Sequence, residues 1–244
     1  MELRLARNDE GAPEIFRSLQ GEGPMAGRER TFIRLSGCNL HCVWCDTAYT
    51  WNWIGSDFVH ERDTKFDPRA EMIKLRVEEA ARLVNALPSE GVVITGGEPL
   101  MQSDAVAALI DALTCKTIEI ETNGSIAPSL NLTERVTLFV VSPKLAHSGN
   151  AAEIALKPEP LAAFAALPNA HFKFVAREIE DVASVAPLAA RHEIAPERIQ
   201  IMPEGASSAV LKARAERLAP AIAQYGFTLS DRLHIHLYGA KRGI

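Results

Sequence analysis

Residues 31–47 read TFIRLSGCNLHCVWCDT, in which a strand-forming run leads directly into three closely spaced cysteines. The alternating apolar residues of TFIRLS predict a β-strand over residues 31–36. Cys38, Cys42 and Cys45 follow with the spacing C-x3-C-x2-C, one ligand short of a closed four-cysteine metal site. Three thiolates on an iron–sulfur cluster leave one iron open to a further ligand. The loop therefore predicts a reactive metal centre rather than a structural one.

Strand-like and helix-like patterns alternate along the rest of the chain. The spacing of apolar residues predicts one helix over residues 77–87, which Pro88 ends, and another over residues 104–113, with Ser103 as its N-cap. Runs rich in β-branched and aromatic residues predict further strands at 92–95, 117–122, 138–142, 172–176, 198–202 and 233–237. We therefore predict an α/β fold, a partial (β/α) barrel with about six parallel strands and its helices outside.

Polar or glycine-rich clusters follow directly after five of the predicted strands. In chain order they are SGCNLHCVWCDT, GGEP, NG, PK and PEG. Ligands bind at the C-terminal edge of the strands in parallel α/β folds, so we expect these clusters to meet at one rim. Gly96 and Gly97 would let the backbone approach a ligand closely. The carboxylate of Glu98 could accept hydrogen bonds from an ammonium group.

The composition limits the class of protein. Four cysteines, three of them in one loop, do not indicate a disulfide framework, and Cys115 is expected to be a small buried hydrophobic residue. The start of the chain lacks the apolar core of a signal peptide, and no run reaches the roughly 20 apolar residues of a membrane span. A cytoplasmic protein without a membrane partner is expected. The net charge of −5 argues against a nucleic-acid partner and favours a small-molecule substrate.

The cysteine loop alone allows three kinds of chemistry. Radical chemistry with S-adenosylmethionine explains the open iron best, because the amino and carboxylate groups of the methionine moiety could chelate it. A structural zinc site would instead take His41 or His60 as its fourth ligand. The third alternative is an activase that makes a glycyl radical on another protein, which shares the cysteine and GGE motifs.

The chain resembles the 7-carboxy-7-deazaguanine synthase family of radical S-adenosylmethionine enzymes nearly from end to end. The matching motifs are IFRSLQGEGPMAGR, FIRLSGCN, CDT, TGGEP, IETNG, VSPK, IMPEG and HIHLYGAKRGI. LQGEG and CDT are more specific than the cysteine motif, which the whole superfamily shares. The resemblance implies a carbon–nitrogen lyase that converts 6-carboxy-5,6,7,8-tetrahydropterin to 7-carboxy-7-deazaguanine with loss of ammonia. It also implies one radical S-adenosylmethionine domain over residues 1–244, with an N-terminal substrate-loop segment and a C-terminal tail packed on the barrel rim.

The resemblance implies a set of site residues for each bound group. A 4Fe–4S cluster would be held by Cys38, Cys42 and Cys45. S-adenosylmethionine would be bound by Trp44, Cys45, Asp46, Gly97, Ser142, Pro143, Lys144, Ile201, Met202, Pro203 and Glu204. The substrate would be bound by Leu19, Gln20, Gly21, Arg34, Thr95 and Ile244. Arg34 suits the substrate carboxylate because a guanidinium can grip it bidentately, and the hydroxyl of Thr47 suits Mg2+, which prefers oxygen ligands.

Partners and the remaining segments complete these expectations. The resemblance implies a flavodoxin or ferredoxin as reductant, and a homodimer. The chain ends in HLYGAKRGI where some family members carry a QTHK-type segment, so no role is assigned to His236 or Tyr238. The irregular segment 48–74, rich in aromatic residues, is expected to be a cover packed on the barrel, a lid over the cluster, or both.

Separate expectations apply to five further side chains. Glu22 in LQGEG is expected to face the pocket rather than to serve only the turn. Glu121, at a strand end, is equally consistent with a structural role and with contact to a ribose or an amine. His147 is expected to be a surface or helix residue rather than a ligand, as are His171 and His192.

Overall fold

The computed structural model describes residues 1–243, and its ten strands form one sheet. The strands are β1 (Glu2–Ala6), β2 (Ile15–Leu19), β3 (Glu29–Leu35), β4 (Met72–Arg76), β5 (Val92–Gly96), β6 (Ile118–Thr122), β7 (Leu138–Val141), β8 (Ala170–Ala176), β9 (Ile199–Pro203) and β10 (Thr228–Leu229). The helices are α1 (Pro68–Glu71), α2 (Val77–Asn85), α3 (Ser103–Ala112), α4 (Leu130–Thr133), α5 (Ala152–Ala155), α6 (Pro158–Ala165), α7 (Ile179–Arg191), α8 (Ser208–Gln224) and α9 (Leu233–Tyr238).

Six long strands run parallel in the order β3-β5-β6-β7-β8-β9, and the short β10 continues the parallel pairing on β9. Strands β1, β2 and β4 add antiparallel pairs on the β3 side. Within residues 1–243 the two ends of the sheet, β4 and β10, do not pair with each other. The predicted partial barrel with about six parallel strands is therefore confirmed.

Side chains alternate between the two faces of the parallel strands. Alternate apolar residues, such as Ile33, Ile94, Ile120, Phe172 and Ile201, are fully buried in one core with the helices. The intervening positions face the barrel interior, since successive strand residues point to opposite faces. The polar or charged side chains at these interior positions include Arg34, Thr95, Glu121, Lys173 and Gln200. The apolar face thus supplies stability, and the polar face lines the candidate site.

Two local predictions were wrong. Residues 233–237 were predicted as a strand but form helix α9, because the short β10 takes the place beside β9 and the chain then turns toward residues 21–23, where Leu233 N donates to the carbonyl oxygen of Gly21. Ser103 is the first residue of α3 rather than its N-cap, because a 3-10 turn over Pro99–Gln102 leads straight into the helix. Its hydroxyl donates a hydrogen bond to the carbonyl oxygen of Leu100 at 2.7 Å.

None of the helices in residues 1–243 is long and apolar enough to cross a membrane.

Phe164 tests the contribution of the helix-facing core to stability. Its fully buried ring on α6 packs edge-on against Phe139 of β7, with ring centroids 5.5 Å apart. Phe164→Ala should lower the free energy of unfolding by about 3–5 kcal/mol, because it leaves a cavity in a close-packed core. Leu130→Ala is the control, since its side chain is 82% exposed and should change stability by less than about 0.5 kcal/mol. Urea denaturation of both variants checks this, and equal losses would contradict the assignment.

Candidate active site

The predicted clusters meet at one rim of the sheet, as expected. The cysteine loop (residues 36–47) leaves β3, and its Asn39 accepts a hydrogen bond from Asn123 Nδ2, at the end of β6, at 2.9 Å. The backbone amide of His41 donates to Asn150 Oδ1, beyond β7, at 2.9 Å. The loop is therefore positioned by neighbouring strand ends rather than by its own sequence.

Each loop cysteine has a nitrogen donor near its sulfur. Trp51 Nε1 lies 3.3 Å from Cys45 Sγ, and Asn150 Nδ2 lies 3.3 Å from Cys42 Sγ. Asn123 Nδ2 approaches Cys38 Sγ at 3.9 Å. N–H groups directed at sulfur stabilise negative charge on a thiolate, and such bonds tune iron–sulfur clusters. All three cysteines are free, so the donor set fits a cluster held by three thiolates.

Burial disfavours the deprotonated, thiolate form of these cysteines unless a cation lies nearby. It raises the pKa of Cys38 to about 12 and that of Cys42 to about 11, and it also raises the pKa of Cys45. A metal ligand must be deprotonated, so positive charge has to compensate for the lost hydration. Iron would supply that charge, and the buried thiols are consistent with a site that needs it.

The zinc alternative finds no support in the geometry. His41 stacks on Phe58 with ring centroids 3.4 Å apart, and His60 Nε2 is hydrogen-bonded to the carbonyl oxygen of Cys45 at 2.8 Å. Across residues 1–243, no three His, Cys, Asp or Glu side chains are grouped to hold a single metal ion. Neither histidine is therefore placed as the fourth ligand of a mononuclear site.

The two glycines of GGEP serve a close approach between backbones. A Cβ on Gly96, whose φ is +134°, would lie 2.1 Å from the carbonyl oxygen of Leu35. A Cβ on Gly97 would lie 2.1 Å from the carbonyl oxygen of Gly37 and 3.1 Å from Cys38 Cβ. Any side chain at either position would displace the start of the cysteine loop, so glycine is required by packing as well as by backbone conformation.

Glu98 does not face the rim, and the expectation that its carboxylate binds an ammonium group is wrong. Its side chain is fully buried, and its oxygens accept hydrogen bonds from Leu100 N at 2.9 Å, Thr122 Oγ1 at 2.8 Å and Asn123 N at 2.7 Å. Burial raises its pKa despite these bonds. Through these hydrogen bonds Glu98 links the ends of β5 and β6.

The predicted cofactor residues Trp44, Ser142 and Lys144 lie together. Lys144 Nζ donates to the carbonyl oxygen and hydroxyl of Ser142, each at 2.8 Å, and lies 6.0 Å from the Trp44 ring centroid. The Trp44 ring stacks on His147 at 5.6 Å. Within residues 1–243, buried Trp44 Nε1 and His147 Nε2 both lack a hydrogen-bond partner. Two buried polar atoms without partners indicate a polar ligand at this point of the rim.

His147, which was expected to be a surface or helix residue, lies in a 3-10 turn and stacks on the predicted cofactor residue Trp44. Its other ring nitrogen, Nδ1, is hydrogen-bonded to Asp181 at 3.1 Å, and His147 with two backbone amides helps to lower the pKa of Asp181 to about 2, against the effect of burial. The sequence offered one signal, because His147 lies just beyond the PK cluster. A lone histidine in that position is more often structural, so the signal is weak.

The end of β9 is less available than predicted. Ile201 is fully buried in the helix-facing core, and its carbonyl oxygen accepts a hydrogen bond from Ser230 N at 2.9 Å. The carboxylate of Glu204 is ion-paired with Arg177 at 3.2 Å and with Arg214. Met202, which alternates with Ile201, and Pro203 lie between them and are also buried.

The predicted substrate residues Gln20 and Thr95 converge on Glu121. Gln20 Nε2 donates to one carboxylate oxygen at 3.1 Å, and Thr95 Oγ1 donates to the other at 2.7 Å. Gln20 belongs to the substrate loop (residues 19–23), the LQGEG motif, which also contains Leu19 and Gly21. Glu121 therefore lies among the predicted substrate residues. From the sequence, a structural role and a contact to a ribose or an amine were equally consistent.

Arg34 is positioned by a buried pair that sequence analysis missed. Arg34 Nε donates to Glu14 Oε1 at 2.8 Å, and the hydroxyl of Tyr49 donates to Glu14 Oε2 at 2.9 Å. Register places Arg34 opposite Thr95, beside Glu121. The side chain of Arg34 is 18% exposed, so the guanidinium reaches the open part of the rim. Glu14 carries no motif, and only the antiparallel β2–β3 pairing brings it near.

A four-residue charge cluster joins the substrate loop to the cysteine loop. Glu22 pairs with Lys173 and, at 2.9 Å, with Arg232, while Arg232 also pairs with Asp46. Burial opposes the charge on Glu22, yet the cations of Lys173 and Arg232 hold its pKa well below the usual range. The expected pocket role of Glu22 is supported. Strand alternation could have found Lys173, between Phe172 and Phe174, but no local pattern marks Arg232.

The segment beyond the cysteine loop brings aromatic residues close to it. Trp51 is buried, and its ring meets Phe58 edge-on at 6.0 Å between centroids. Phe58 is 41% exposed, and whether this segment is a cover, a lid or both stays a prediction. Thr47 Oγ1 lies 3.5 Å from Cys45 Sγ, at the start of this segment.

The predicted substrate residue Ile244 lies outside the described residues.

Comparisons with known proteins show which family the chain resembles. Residues 32–139 match the model of the Radical SAM superfamily. The chain is 35% identical to the 7-carboxy-7-deazaguanine synthase of Pyrobaculum aerophilum, over 94% of this chain and 95% of that protein. It is 31% identical to the enzyme of the same name from Rhodopirellula baltica, over 94% and 87% of the two chains. The crystal structure of QueE from Escherichia coli matches with a TM-score of 0.65 at 25% identity, over 95% of both chains.

Trp51 provides a test of the cluster environment. Its indole N–H stabilises negative charge on Cys45, and a reduced cluster carries more of that charge. Trp51→Phe in the reconstituted protein should therefore shift the midpoint potential of the cluster to a more negative value. Trp53→Phe, in the same segment but without a described bond to sulfur, should leave it unchanged. Redox titration followed by electron paramagnetic resonance measures both, and identical potentials would exclude the proposed N–H···S effect.

Proposed function

Since the chain belongs to the 7-carboxy-7-deazaguanine synthase family of radical S-adenosylmethionine enzymes, we propose which of its rim residues bind the cluster, S-adenosylmethionine and the substrate. The protein is a lyase of queuosine biosynthesis that converts 6-carboxy-5,6,7,8-tetrahydropterin to 7-carboxy-7-deazaguanine with loss of ammonia. The observation that supports this assignment is the meeting of the substrate loop and the cysteine loop, through Glu22, Arg232 and Asp46, at one rim.

Cys38, Cys42 and Cys45 hold the 4Fe–4S cluster and leave one iron for S-adenosylmethionine. The cluster supplies the electron for reductive cleavage of S-adenosylmethionine, which provides the group that removes a hydrogen atom from the substrate. Cys42 is buried, and the sulfur of Cys45 lies next to the buried side chain of Trp51. Exclusion of water protects the site from side reactions and strengthens every charge interaction within it.

Trp44, Asp46, Gly97, Ser142, Pro143 and Lys144 form the S-adenosylmethionine site. The aromatic face of Trp44 and the cation of Lys144 lie on the same side of the cysteine loop. Gly97 contributes its backbone, because its close approach to Gly37 leaves no room for a side chain. At the end of β9, Met202 and Pro203 would contribute contact surface, since the Ile201 carbonyl oxygen and the Glu204 carboxylate already have partners within the protein.

The substrate lies against the polar face of the strands. Arg34, oriented by Glu14, grips the substrate carboxylate, since a guanidinium matches a carboxylate in charge and geometry. Glu121 keeps lone pairs beyond those used by Gln20 and Thr95, and these accept N–H groups of the pterin. Leu19 and Gly21 would complete the pocket, and the predicted substrate contact of Ile244 lies outside the described residues. Their task is to hold the reacting carbon at a distance that permits hydrogen transfer in both directions.

Mg2+ would bind the hydroxyl of Thr47 and orient the substrate carboxylate. Hydroxyl and carboxylate oxygens are the hard ligands that this ion prefers, and it usually keeps several waters. Thr47 lies two residues after Cys45, and its Oγ1 is 3.5 Å from Cys45 Sγ. A flavodoxin or ferredoxin would supply the electron, and the family leads us to propose a homodimer. Four free cysteines favour the reducing cytoplasm.

One reaction tests the proposal directly. Anaerobically reconstituted and reduced protein, incubated with S-adenosylmethionine and 6-carboxytetrahydropterin, should release 7-carboxy-7-deazaguanine with the expected mass. Cys42→Ala should abolish product and cleavage of S-adenosylmethionine, because it removes a cluster ligand. Cys115→Ala is the matched control, since this half-buried cysteine lies outside the loop and should keep activity. Product from Cys42→Ala at the wild-type rate would refute its ligand role.

Arg34→Gln tests the carboxylate clamp. Loss of a charge-assisted bidentate contact costs about 2–3 kcal/mol, so the KM for the pterin should rise roughly 30- to 160-fold. The Kd for S-adenosylmethionine, measured by equilibrium dialysis, should stay unchanged. Arg17→Gln on the exposed part of β2 serves as the control, since its ion pair with Glu29 is solvated. An unchanged KM in Arg34→Gln would exclude the clamp.

A further inference from the structure

Arg232 uses its guanidinium to join three distant segments of the chain. Its Nε donates to Glu22 in the substrate loop at 2.9 Å, and its Nη1 donates to the carbonyl oxygen of Gly205, beyond β9, at 2.7 Å. Its Nη2 donates to Asp46, next to the cluster ligand Cys45. Only 9% of the Arg232 side chain is exposed. A buried arginine whose nitrogens serve three acceptors is held in a single geometry.

The residues around Arg232 also hold the substrate loop by its backbone. Gly23 N donates to Ser230 Oγ at 3.0 Å, and Leu233 N donates to the carbonyl oxygen of Gly21 at 2.8 Å. The ring of His234 lies so close to Gly21 that a Cβ there would be 2.0 Å from its Nδ1. Residues 230–234 therefore fit against residues 21–23 at successive points, and Arg232 extends this contact to the cysteine loop.

The charges of this cluster are balanced across the two loops. Glu22 and Asp46 carry two negative charges, and Lys173 and Arg232 carry two positive ones. Lys173 contacts only Glu22 among these carboxylates, whereas Arg232 contacts both. Arg232 is thus the group through which the position of one loop depends on the position of the other. The side chain of Glu22 is only 15% exposed, so removal of Arg232 leaves an uncompensated buried charge there. The side chain of Asp46 is 46% exposed, so its pair with Arg232 is partly screened by solvent.

We propose that Arg232 is a positioning residue, which sets the substrate loop against the cysteine loop so that hydrogen leaves and returns to one correctly placed substrate. The inference rests on the proposed function. Hydrogen transfer tolerates little displacement, and a shift of about 1 Å can cost roughly 100-fold in rate. Lysine cannot replace Arg232, because an ammonium is a point charge without the planar fork that spans two carboxylates.

The chemistry supplies a readout that a purely structural role would not change. When hydrogen returns to the adenosyl group, S-adenosylmethionine is re-formed and little 5′-deoxyadenosine accumulates. If the two loops lose their registration, S-adenosylmethionine would be cleaved without product. Two electrons from the added chemical reductant and one proton from solvent would then convert it to 5′-deoxyadenosine and methionine, and the substrate would stay unchanged. The ratio of 5′-deoxyadenosine to 7-carboxy-7-deazaguanine therefore measures positioning independently of the overall rate.

The variants Arg232→Lys, Arg232→Gln and Asp46→Asn test the proposal in the reconstituted enzyme. Each should raise that ratio by about tenfold or more and should raise the KM for the pterin. The double variant Arg232→Lys/Asp46→Asn should be no worse than the single variants, since both changes break one bridge. Arg135→Gln is the control, because its pair with Asp111 is on the surface and away from the rim. Its ratio should match that of the wild-type enzyme.

Hydrogen–deuterium exchange gives a second measurement, which does not require the loaded enzyme. In Arg232→Lys, amides of residues 19–23 and 43–47 should exchange faster than in the wild-type protein, while the strand amides keep their protection. Arg232→Lys with wild-type exchange and a wild-type ratio would overturn the proposal. Failure of the wild-type enzyme to make product would instead refute the proposed function, and the exchange measurement would still decide the role of Arg232. Asp46 is partly exposed, so Asp46→Asn provides the same test if the Arg232 variants unfold.

Discussion

The close approach of the GGEP turn to the start of the cysteine loop is the contact on which the site depends. Gly97 N donates to the carbonyl oxygen of Leu35 at 3.0 Å, and Glu98 N donates to that of Gly37 at 2.9 Å. The end of β5 therefore continues its pairing with β3 into the cysteine loop. Glu98 then ties the same turn to the end of β6. Because three strand ends share this junction, the cysteines are held by the most buried part of the sheet.

Charge balance is the second constraint on the site. The polar face of the strands buries Arg30 with Glu119, Arg34 with Glu14, and Lys173 with Glu22. Burial of ion pairs gives little net stability, because desolvation offsets much of the attraction. The apolar helix-facing core supplies the stability instead. The buried pairs contribute a defined arrangement of charge, which a site for a charged substrate and a charged cofactor requires.

Local sequence predicted the parallel strands well because their alternation and their turns are local properties. It failed where a distant partner decided the outcome. Residues 233–237 have a strand-like pattern, yet the short β10 takes the place beside β9, and the chain then turns toward residues 21–23 and forms α9. The carboxylate of Glu98 had the chemistry to bind an ammonium group, but the fold buries it among backbone amides. In both cases the residue types were compatible with two environments.

The sequence by itself determined the fold class, the three cysteines and the family to which the chain belongs. These follow from short-range patterns, in which spacing and residue type carry the chemistry. Only the tertiary structure decided which side chains orient the predicted ones. Glu14 reaches Arg34, His147 reaches Trp44, and Arg232 reaches both Glu22 and Asp46. The physical reason is that an ion pair or a stacking contact depends on distance in space, and partners 20 to 210 residues apart leave no periodic trace in the chain.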